Sequence, residues 1–393
     1  MPGRNKEELR IVWCLFLILF MGVADNQILS PLLPAIRNQF GKSSSDMGLL
    51  FTGYSFCAGL SVLIWGPLSD ALGRKQGLQN GLVVFAAGSL ISFLAKGFPM
   101  LLAGRMATGI GASMLSLNSI SYAADFFPYE KRGWAMGSIF SSYFAALILG
   151  VPLGSWLGDK FGWQVVFGAM GAMALVLLQC TRPLLPRLPV RDGRPSALAE
   201  YFRHYIGFLR SAHARSALLS SLFASAGTMG FLAFLGVWLH DVFGISGGKV
   251  GLVFLIAGAA ALLASPLAGS IADRIGKRLQ FVSSCASLAL FLFILPRLRW
   301  GPALFGVFGL VSLSAAFRQG PMEAVLSEIV PSASRGTFVA FKNSFSQLGI
   351  GLAALLSGML FERYGYSAVC LLGAVSNLLA AGSMLFTFRE KHL

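Results

Sequence analysis

The sequence of 393 residues carries little charge: Asp, Glu, Lys and Arg make up 12% of it, and 16 residues are acidic. Soluble domains have about twice this share of charged residues. Hydrophobic residues account for 55% of the chain, 33 residues are phenylalanine, and the mean hydropathy is +0.71. A water-soluble protein could not bury that much apolar surface. The composition therefore excludes soluble, disordered, collagenous and coiled-coil classes and indicates a polytopic membrane protein.

Cysteines are few and irregularly spaced, and each lies in an apolar segment: Cys14, Cys57, Cys180, Cys285 and Cys370. This pattern excludes a disulfide framework and favours small buried thiols. No glycine-rich loop leads into Gly-Lys-Ser/Thr, and no metal-ligand spacing, nucleophile elbow or dinucleotide fingerprint is present. We therefore expect no enzyme, no ATP-driven pump, no metal and no cofactor.

Apolar runs of about 20 residues, the length that crosses a bilayer, define the predicted spans. Twelve such runs lie near 11–34, 47–67, 77–96, 99–122, 133–157, 163–181, 216–239, 249–269, 280–296, 301–326, 337–360 and 365–387. With both termini on the cytoplasmic side, the inside segments hold 20 Lys and Arg residues and the outside loops hold eight. This asymmetry satisfies the positive-inside rule and predicts cytoplasmic termini in a bacterial inner membrane.

The net charge of +15 does not indicate nucleic-acid binding, because the basic residues lie in short loops between apolar runs. They are expected to set the topology and to meet anionic lipid head groups. Membrane lipids are thus the expected surroundings, and nucleic acid is not an expected partner.

A polar segment at 182–215, rich in Arg and Pro, divides the spans six and six. At an offset of 203 residues the two halves match without gaps: GPLSDALGRK at 66–75 falls on GSIADRIGKR at 269–278, and DFFPYEKRG at 125–133 falls on EIVPSASRG at 328–336. A parallel repeat of this kind places the ligand site between the halves, near the midplane. We predict an N-terminal six-helix bundle at 1–181, a cytoplasmic linker at 182–215 and a C-terminal six-helix bundle at 216–393.

The segment after the second span resembles a motif of the major facilitator superfamily, which reads roughly Gly-x-Leu-x-Asp-Arg-x-Gly-Arg-Lys. Six positions match: Gly66, Leu68, Asp70, Gly73, Arg74 and Lys75. Ala71 stands where Arg is usual, whereas the second copy supplies Arg274. The resemblance covers the whole chain. It implies an all-α membrane protein of twelve helices in two pseudo-symmetric six-helix bundles, transporting by alternating access.

The duplicated motif implies a gate on the inner side. Its glycines allow close helix approach and tight turns. Asp70 can pair with Arg132 and face the N-terminus of the eleventh helix, whose free N–H groups favour an anion. The residues assigned to this gate are Gly66, Asp70, Gly73, Arg74, Lys75, Arg132, Asp273, Arg278 and Arg335.

Five charged residues fall inside the predicted spans: Asp25, Arg105, Arg318, Glu323 and Lys342. A charge in lipid costs several kcal/mol, so each should face a cavity or a partner, whether on the transport route or in a structural ion pair. Asp25 and Arg105 lie roughly 13 and 9 Å from the outer ends of their spans, so they can meet. Their surroundings resemble the first- and fourth-helix motifs of drug:proton antiporters, which implies a role in proton coupling.

In the second half, Glu323 and Lys342 lie at similar depth and are expected to form a structural or gating pair. Arg318, near the midplane, has no acidic partner at its depth and could bind an anionic group. At the 203 offset Asp25 falls on Thr228 and Arg105 on Phe308, so the charges are not duplicated. Together with Arg318, Glu323 and Lys342, polar and aromatic residues near span centres are assigned to a substrate cavity: Asn26, Gln27, Tyr54, Asn118, Tyr143, Trp238 and Asn343.

The fifth span carries LILGVPLGSWLG at 147–158, which resembles the antiporter motif Gly-x-x-x-Gly-Pro-x-x-Gly-Gly. Ala146 and Ser155 stand where glycine is usual, and Val151 separates Gly150 from Pro152. The motif implies a proline bend with close glycine packing against the facing half.

Taken together, these features predict a monomeric, proton-coupled exporter of amphipathic or drug-like small molecules. A carrier of lysophospholipid- or sphingolipid-like substrates is an alternative, in which Arg105, Arg318 and Lys342 hold the head group. A sugar or organic-acid transporter is a further alternative.

Overall fold

The computed structural model describes residues 6–189, 198–330 and 335–387, and every regular element in these ranges is helical. In the first half, α1 (Lys6–Gln27) and α2 (Leu29–Phe40) meet at an angle of 45°. Three unbroken helices follow: α3 (Ser44–Leu72), α4 (Arg74–Phe93) and α5 (Phe98–Phe126). The next crossing consists of α6 (Tyr129–Phe140), α7 (Ser142–Ala145), a π-helical turn (Ala146–Gly150) and α8 (Val151–Phe161), and α9 (Trp163–Leu184) ends the half.

The second half begins with an amphipathic helix, α10 (Leu198–Arg210), which packs on α15 through a stacked pair of rings, Tyr205 and Phe341, at 4.7 Å. The remaining helices are α11 (Ala212–Phe243), α12 (Gly247–Ile275), α13 (Lys277–Ile294), α14 (Pro302–Ile329), α15 (Arg335–Tyr364) and α16 (Tyr366–Thr387). A short 3₁₀ turn, Leu295–Arg297, extends α13.

The repeat extends to helix bounds and turn conformation. Both α3 and α12 have 29 residues, both α9 and α16 have 22, and each pair is displaced by 203 residues at both ends. The glycines with positive φ in the described chain form three pairs at the same displacement: Gly41 and Gly244 (59° and 63°), Gly73 and Gly276 (91° and 89°), and Gly162 and Gly365 (92° and 72°). Only glycine adopts such angles freely, so these residues fix equivalent turns in the two halves.

Ten described helices are long and apolar enough to cross a membrane, and the bent α1–α2 pair makes eleven when it is counted as one span. The remaining member of the predicted twelve is α4, which begins with the polar sequence Arg-Lys-Gln. The count of twelve stays a prediction.

The first span was expected to end near residue 34, but α2 continues to Phe40. Pro31 lies in the first turn of α2, where no N–H donor is needed.

Consecutive helices run antiparallel, so the bundle has two faces. We call the end that holds Lys6, Arg74, Lys277 and Thr387 the terminal face, and the end that holds Phe40, Phe98, Phe243 and Pro302 the distal face. One hydrophobic core near the distal face is shared by both halves, with members such as Ile28, Leu32, Phe51, Phe234, Trp238 and Ala354. Towards the terminal face each half has its own core, around Leu15, Phe85 and Tyr122 in the first and Phe281, Phe338 and Phe341 in the second. A shared core thus joins the halves near the distal face, whereas their terminal cores are separate, and we call the region between these two terminal cores the cleft.

Candidate functional site

Polar contacts between the halves close the distal end of this cleft. Arg37 on α2 donates two hydrogen bonds, of 2.8 and 2.6 Å, to the Asp241 carboxylate on α11. Asp159 at the end of α8 accepts the N–H of Gly248 at 2.7 Å, and Gly248 lies in the first turn of α12. The N–H groups of a helix N-terminus favour a carboxylate, so this contact also joins the halves electrostatically.

Glycines show where the two halves are close-packed. A β-carbon on Gly48 would lie 2.7 Å from the carbonyl oxygen of Ala354, and one on Gly251 would lie 2.8 Å from the α-carbon of Pro152. A β-carbon would meet no atom within 4 Å on five glycines near the terminal ends of their helices, namely Gly66, Gly133, Gly269, Gly320 and Gly336. None of these five therefore makes a close contact between the halves of the kind seen at Gly48 and Gly251.

Asp25 and Arg105 form a fully buried ion pair inside the first half. Arg105 Nη1 lies 2.7 Å from Asp25 Oδ2, and neither side chain has any exposed area. The guanidinium also lies 4.7 Å from the centre of the Tyr54 ring and 5.5 Å from that of Phe167, which are cation–π distances. The expected contact is therefore present. Its role in proton coupling is still a prediction.

This pair is incompletely hydrogen-bonded. Asp25 Oδ1 and Arg105 Nε and Nη2 have no hydrogen-bond partner among the described residues. Burying two charges costs several kcal/mol each unless further hydrogen bonds satisfy the remaining atoms. Protonation of the carboxylate, or a ligand that reaches it, would therefore change the balance of forces between α1 and α5.

Glycines of α5 bring the helices around the pair together. A β-carbon on Gly109 would lie 2.9 Å from the carbonyl carbon of Tyr54 on α3, and one on Gly111 would lie 2.6 Å from the backbone nitrogen of Phe85 on α4. Small residues allow such approach between membrane helices. The close crossing of α3 and α5 holds the Tyr54 ring against Arg105.

Arg318 on α14 is the second buried guanidinium, and its partners are neutral. It donates to Asn377 Oδ1 on α16 and to Thr228 Oγ1 on α11 at 2.7 Å. The residue is 5% exposed, and no carboxylate of the described residues lies within ion-pair distance of it. Asn377 is itself held by the carbonyl groups of Gly227 at 3.2 Å and Gly373 at 2.8 Å.

Sequence reasoning missed these partners. Signals for both of them were present, because Thr228 is the position onto which Asp25 falls in the repeat and Asn377 is an amide within the apolar helix α16.

The expected pair of Glu323 and Lys342 is also present, with Lys342 Nζ 2.5 Å from Glu323 Oε1. Lys342 is buried, whereas 45% of the Glu323 side chain is exposed. Tyr143 of α7, which belongs to the opposite half, is 39% exposed. Their exposure makes Tyr143 and Glu323 candidates for lining the cleft from the two halves.

Three further candidate residues are half-buried close to this cleft. Asn26 directly follows Asp25 on α1. Gln27 Nε2 lies 3.8 Å from the sulfur of Met229 across the seam. Asn343 adjoins Lys342 on α15.

Two candidates lie elsewhere. Asn118 is fully buried within the first half, where it donates to the Met114 carbonyl at 2.7 Å and accepts from Ser69. Trp238 is 5% exposed in the shared distal core and stacks on Tyr366 with ring centres 4.5 Å apart. The structure does not bring these two to the cleft.

The residues assigned to the gate make contacts within their own halves. Arg74 donates to Ser69 at 2.8 Å and to Asp125 at 3.2 Å, Lys75 to the Arg182 carbonyl at 2.8 Å, and Arg132 to the Phe127 carbonyl at 3.4 Å. In the second copy Arg278 donates to the Leu385 carbonyl, and Asp273 is exposed. The side chains of Asp70 and Arg335 lie outside the described part of the structure. A gating role stays a prediction for the state in which the terminal face is closed.

Cys14, Cys285 and Cys370 are buried, as the sequence predicted, whereas Cys57 and Cys180 are partly exposed. Within residues 6–189, 198–330 and 335–387, no group of three His, Cys, Asp or Glu side chains could hold a metal ion.

The family model and the sequence relatives that match this chain describe the same class of protein. Residues 15–301 and 217–393 match the family model described as Major Facilitator Superfamily. The uncharacterised MFS-type transporter YwfA of Bacillus subtilis (strain 168) is 29% identical over 388 residues, which cover 96% of this chain and 92% of YwfA. A second uncharacterised MFS-type transporter of that organism, YceJ, is 25% identical over 89% of each chain.

Solved structures show the same fold. A D-xylose-proton symporter superposes with a TM-score of 0.81 at 17% identity, covering 97% of this chain and 98% of its own. The human organic anion transporter MFSD10 (TETRAN) superposes with a TM-score of 0.74 at 20% identity, covering 97% and 100%. At these identities the likeness concerns the fold alone.

Proposed function

The chain belongs to the major facilitator superfamily, and from that premise we propose that it is a proton-coupled exporter of amphipathic small molecules. It is a multi-pass membrane transporter of this class. The proposal depends chiefly on the fully buried pair of Asp25 and Arg105 beside the closed end of the cleft. The proposed location is a bacterial inner membrane with the terminal face towards the cytoplasm, as the distribution of basic residues favours.

Asp25 is suited to carry the proton. We assign the change of protonation state to the carboxylate of this pair, since a guanidinium is the more permanent charge of the two. Protonation would remove the attraction between α1 and α5. Gln27, two residues further along α1, contacts Met229 of the opposite half. A change in the charge of Asp25 would therefore alter the contact between the two halves at Gln27 and Met229. The halves are proposed to move relative to each other around this contact.

The export direction is supported by the motif in the fifth crossing. The π-helical turn Ala146–Gly150 ends two residues before Pro152, whose missing N–H interrupts the regular helix. Gly258 of α12 packs against this turn, where a β-carbon would lie 2.8 Å from the Leu147 side chain. The irregular helix and the close contact with the facing half agree with what the antiporter motif implies.

Amphipathic substrates suit the mixed character of the cleft. Its walls offer the exposed Tyr143 ring and the exposed Glu323 carboxylate on opposite sides, with half-buried amides between them. Ligand sites commonly combine such apolar surface with a few polar groups that fix orientation.

Reconstituted protein tests the proposal. Liposomes containing a pH-sensitive dye, with an imposed proton gradient, would be given in turn a lipophilic cation, a lipophilic anion, a lysolipid and a sugar. We expect proton flux with an amphipathic compound, loss of that flux in Asp25→Asn, and normal flux in the control Glu130→Gln, which alters an exposed carboxylate. Flux with the sugar alone would favour a sugar transporter, and unchanged flux in Asp25→Asn would exclude Asp25 as the coupling acid.

A second candidate function is a carrier of anionic, lipid-like substrates. It is favoured by one observation, the buried Arg318 whose partners are all neutral.

A further inference from the structure

We infer that the substrate supplies the anion that the second half lacks: Arg318 is the receptor for one oxyanion group of an amphipathic substrate. This inference rests on the proposed function, because it takes the cleft to be the transport route. It adds the charge of the substrate and the residue that recognises it.

The internal repeat points to the missing group. Asp25 on α1 and Thr228 on α11 occupy the same position of the two halves. Each of these residues contacts an arginine, and the two arginines lie on the equivalent helices α5 and α14. Arg105 donates to the Asp25 carboxylate at 2.7 Å, and Arg318 donates to the Thr228 hydroxyl at 2.7 Å. Arg318 lies ten residues beyond Phe308, the position equivalent to Arg105, yet it contacts the equivalent of Asp25, where the second half has no carboxylate.

The charge of Arg318 is not compensated in its surroundings. Its hydrogen bonds to an amide and a hydroxyl supply no negative charge. A buried charge without a counter-charge is costly and is typical of substrate or ion pathways. Of the five charges inside the spans, Arg105, Arg318 and Lys342 are positive and only two are negative, which leaves an excess of one positive charge. This excess favours an anion over a cation of the same shape.

We propose that an oxyanion reaches the guanidinium past Thr228. This residue contacts Arg318 and is half-buried, and the next residue, Met229, contacts Gln27 of the opposite half. The Thr228 hydroxyl already donates to the Ala224 carbonyl at 3.0 Å, so it stays satisfied when Arg318 turns to another acceptor. A planar guanidinium matches carboxylate, sulfonate or phosphate oxygens with two parallel hydrogen bonds.

Matched probes of opposite charge test this assignment. Binding of 1-naphthaleneacetate and of 2-(1-naphthyl)ethylammonium to the purified full-length protein would be measured by isothermal titration calorimetry. The two probes share the same ring system and a similar length. We expect the carboxylate to bind about tenfold more tightly than the ammonium compound, a ratio that corresponds to one favourable charge contact. Tighter binding of the ammonium compound would overturn the inference.

Variants at Thr228 locate the site without removing Arg318. Thr228→Asp places a carboxylate next to the guanidinium and should weaken naphthaleneacetate binding about tenfold or more. Thr228→Asn, similar in size but neutral, should leave binding within about threefold of wild type. Equal affinities in the two variants would overturn the inference. Arg318→Gln should lose binding as well, but the Thr228 pair decides the question if that variant does not fold.

The proton-flux assay separates this inference from the proposed function. Anion binding that is lost in Thr228→Asp, without any proton flux, would keep the anion site and reject proton coupling. Proton flux with a lipophilic cation alone would support proton coupling and reject the anion site at Arg318. Competition by a lysophosphatidate distinguishes two sources of the oxyanion: displacement of naphthaleneacetate supports a lipid head group at Arg318, and its absence supports a small organic anion there.

Discussion

The two halves of the molecule share their framework but differ in their buried charges. Helix bounds and turn glycines repeat at 203 residues, down to φ angles of 91° and 89° at Gly73 and Gly276. The first half pairs Arg105 with its own carboxylate, whereas the second surrounds Arg318 with neutral groups. The difference indicates that duplication fixed the scaffold, which every transport step needs, while the charged positions took on separate tasks. In our proposals the first half exchanges a proton and the second receives an anion.

The largest expected effect concerns stability. Asp25→Leu leaves the Arg105 guanidinium buried without a counter-charge and should lower the free energy of unfolding by about 3–5 kcal/mol. Arg318→Gln removes a charge that has no counter-ion, so its effect should stay within about 1 kcal/mol. Denaturation by sodium dodecyl sulfate, followed by circular dichroism, measures both. The double variant Asp25→Leu/Arg105→Leu should recover most of the loss. Equal losses of unfolding free energy in Asp25→Leu and Arg318→Gln would show that the two halves do not differ in how their buried arginines are compensated.

The next largest expected effect concerns the closure of the distal face and involves glycines at equivalent positions of the repeat. Gly48 and Gly251 occupy equivalent positions in tight contacts between the halves, whereas Gly66 and Gly269 are equivalent and open. Gly48→Val or Gly251→Val should disfavour the closed distal face by about 1–3 kcal/mol, the usual cost of overpacking. Gly66→Val and Gly269→Val are the matched controls and should leave this state unchanged.

Distances between spin labels would measure this shift. Labels on Lys42→Cys and Lys249→Cys, in a background without the native cysteines, report the separation of the halves on the distal face. The distance should lengthen in both tight-contact variants alike. A response to only one of them would show that the two halves do not close the seam symmetrically.

The smallest expected effect is that of the distal ion pair. Arg37 and Asp241 have side-chain exposures of 20% and 32%, and pairs so close to solvent contribute about 1 kcal/mol or less. Arg37→Ala should therefore open the distal face less than Gly48→Val in the same label measurement, and the exchanged pair Arg37→Asp/Asp241→Arg should restore closure. A larger effect of Arg37→Ala would mean that electrostatic attraction, rather than close packing, holds this face together.

Much of the fold could be predicted from the sequence, because the length of the apolar runs predicts the membrane spans. The internal repeat likewise predicts equivalent turns in the two halves. The pairing of Asp25 with Arg105 and of Glu323 with Lys342 followed from depth alone, since charges in lipid need partners.

The sequence was less informative about which way a side chain faces. Asn118 and Trp238 lie near span centres, yet they pack inside a half and in the distal core, respectively. A helix that is apolar all round gives no periodic signal of its inward side. The neutral partners of Arg318 could not be found from charge complementarity, because none of them is charged.

The division of tasks between the halves is tested most directly by one measurement on reconstituted protein. Gradient-driven accumulation and counterflow of 1-naphthaleneacetate would be recorded side by side for Asp25→Asn and Thr228→Asp. Our account predicts that Asp25→Asn keeps counterflow and loses accumulation, because it binds substrate but carries no proton, and that Thr228→Asp loses both. Accumulation by Asp25→Asn, or the same profile in both variants, would contradict it.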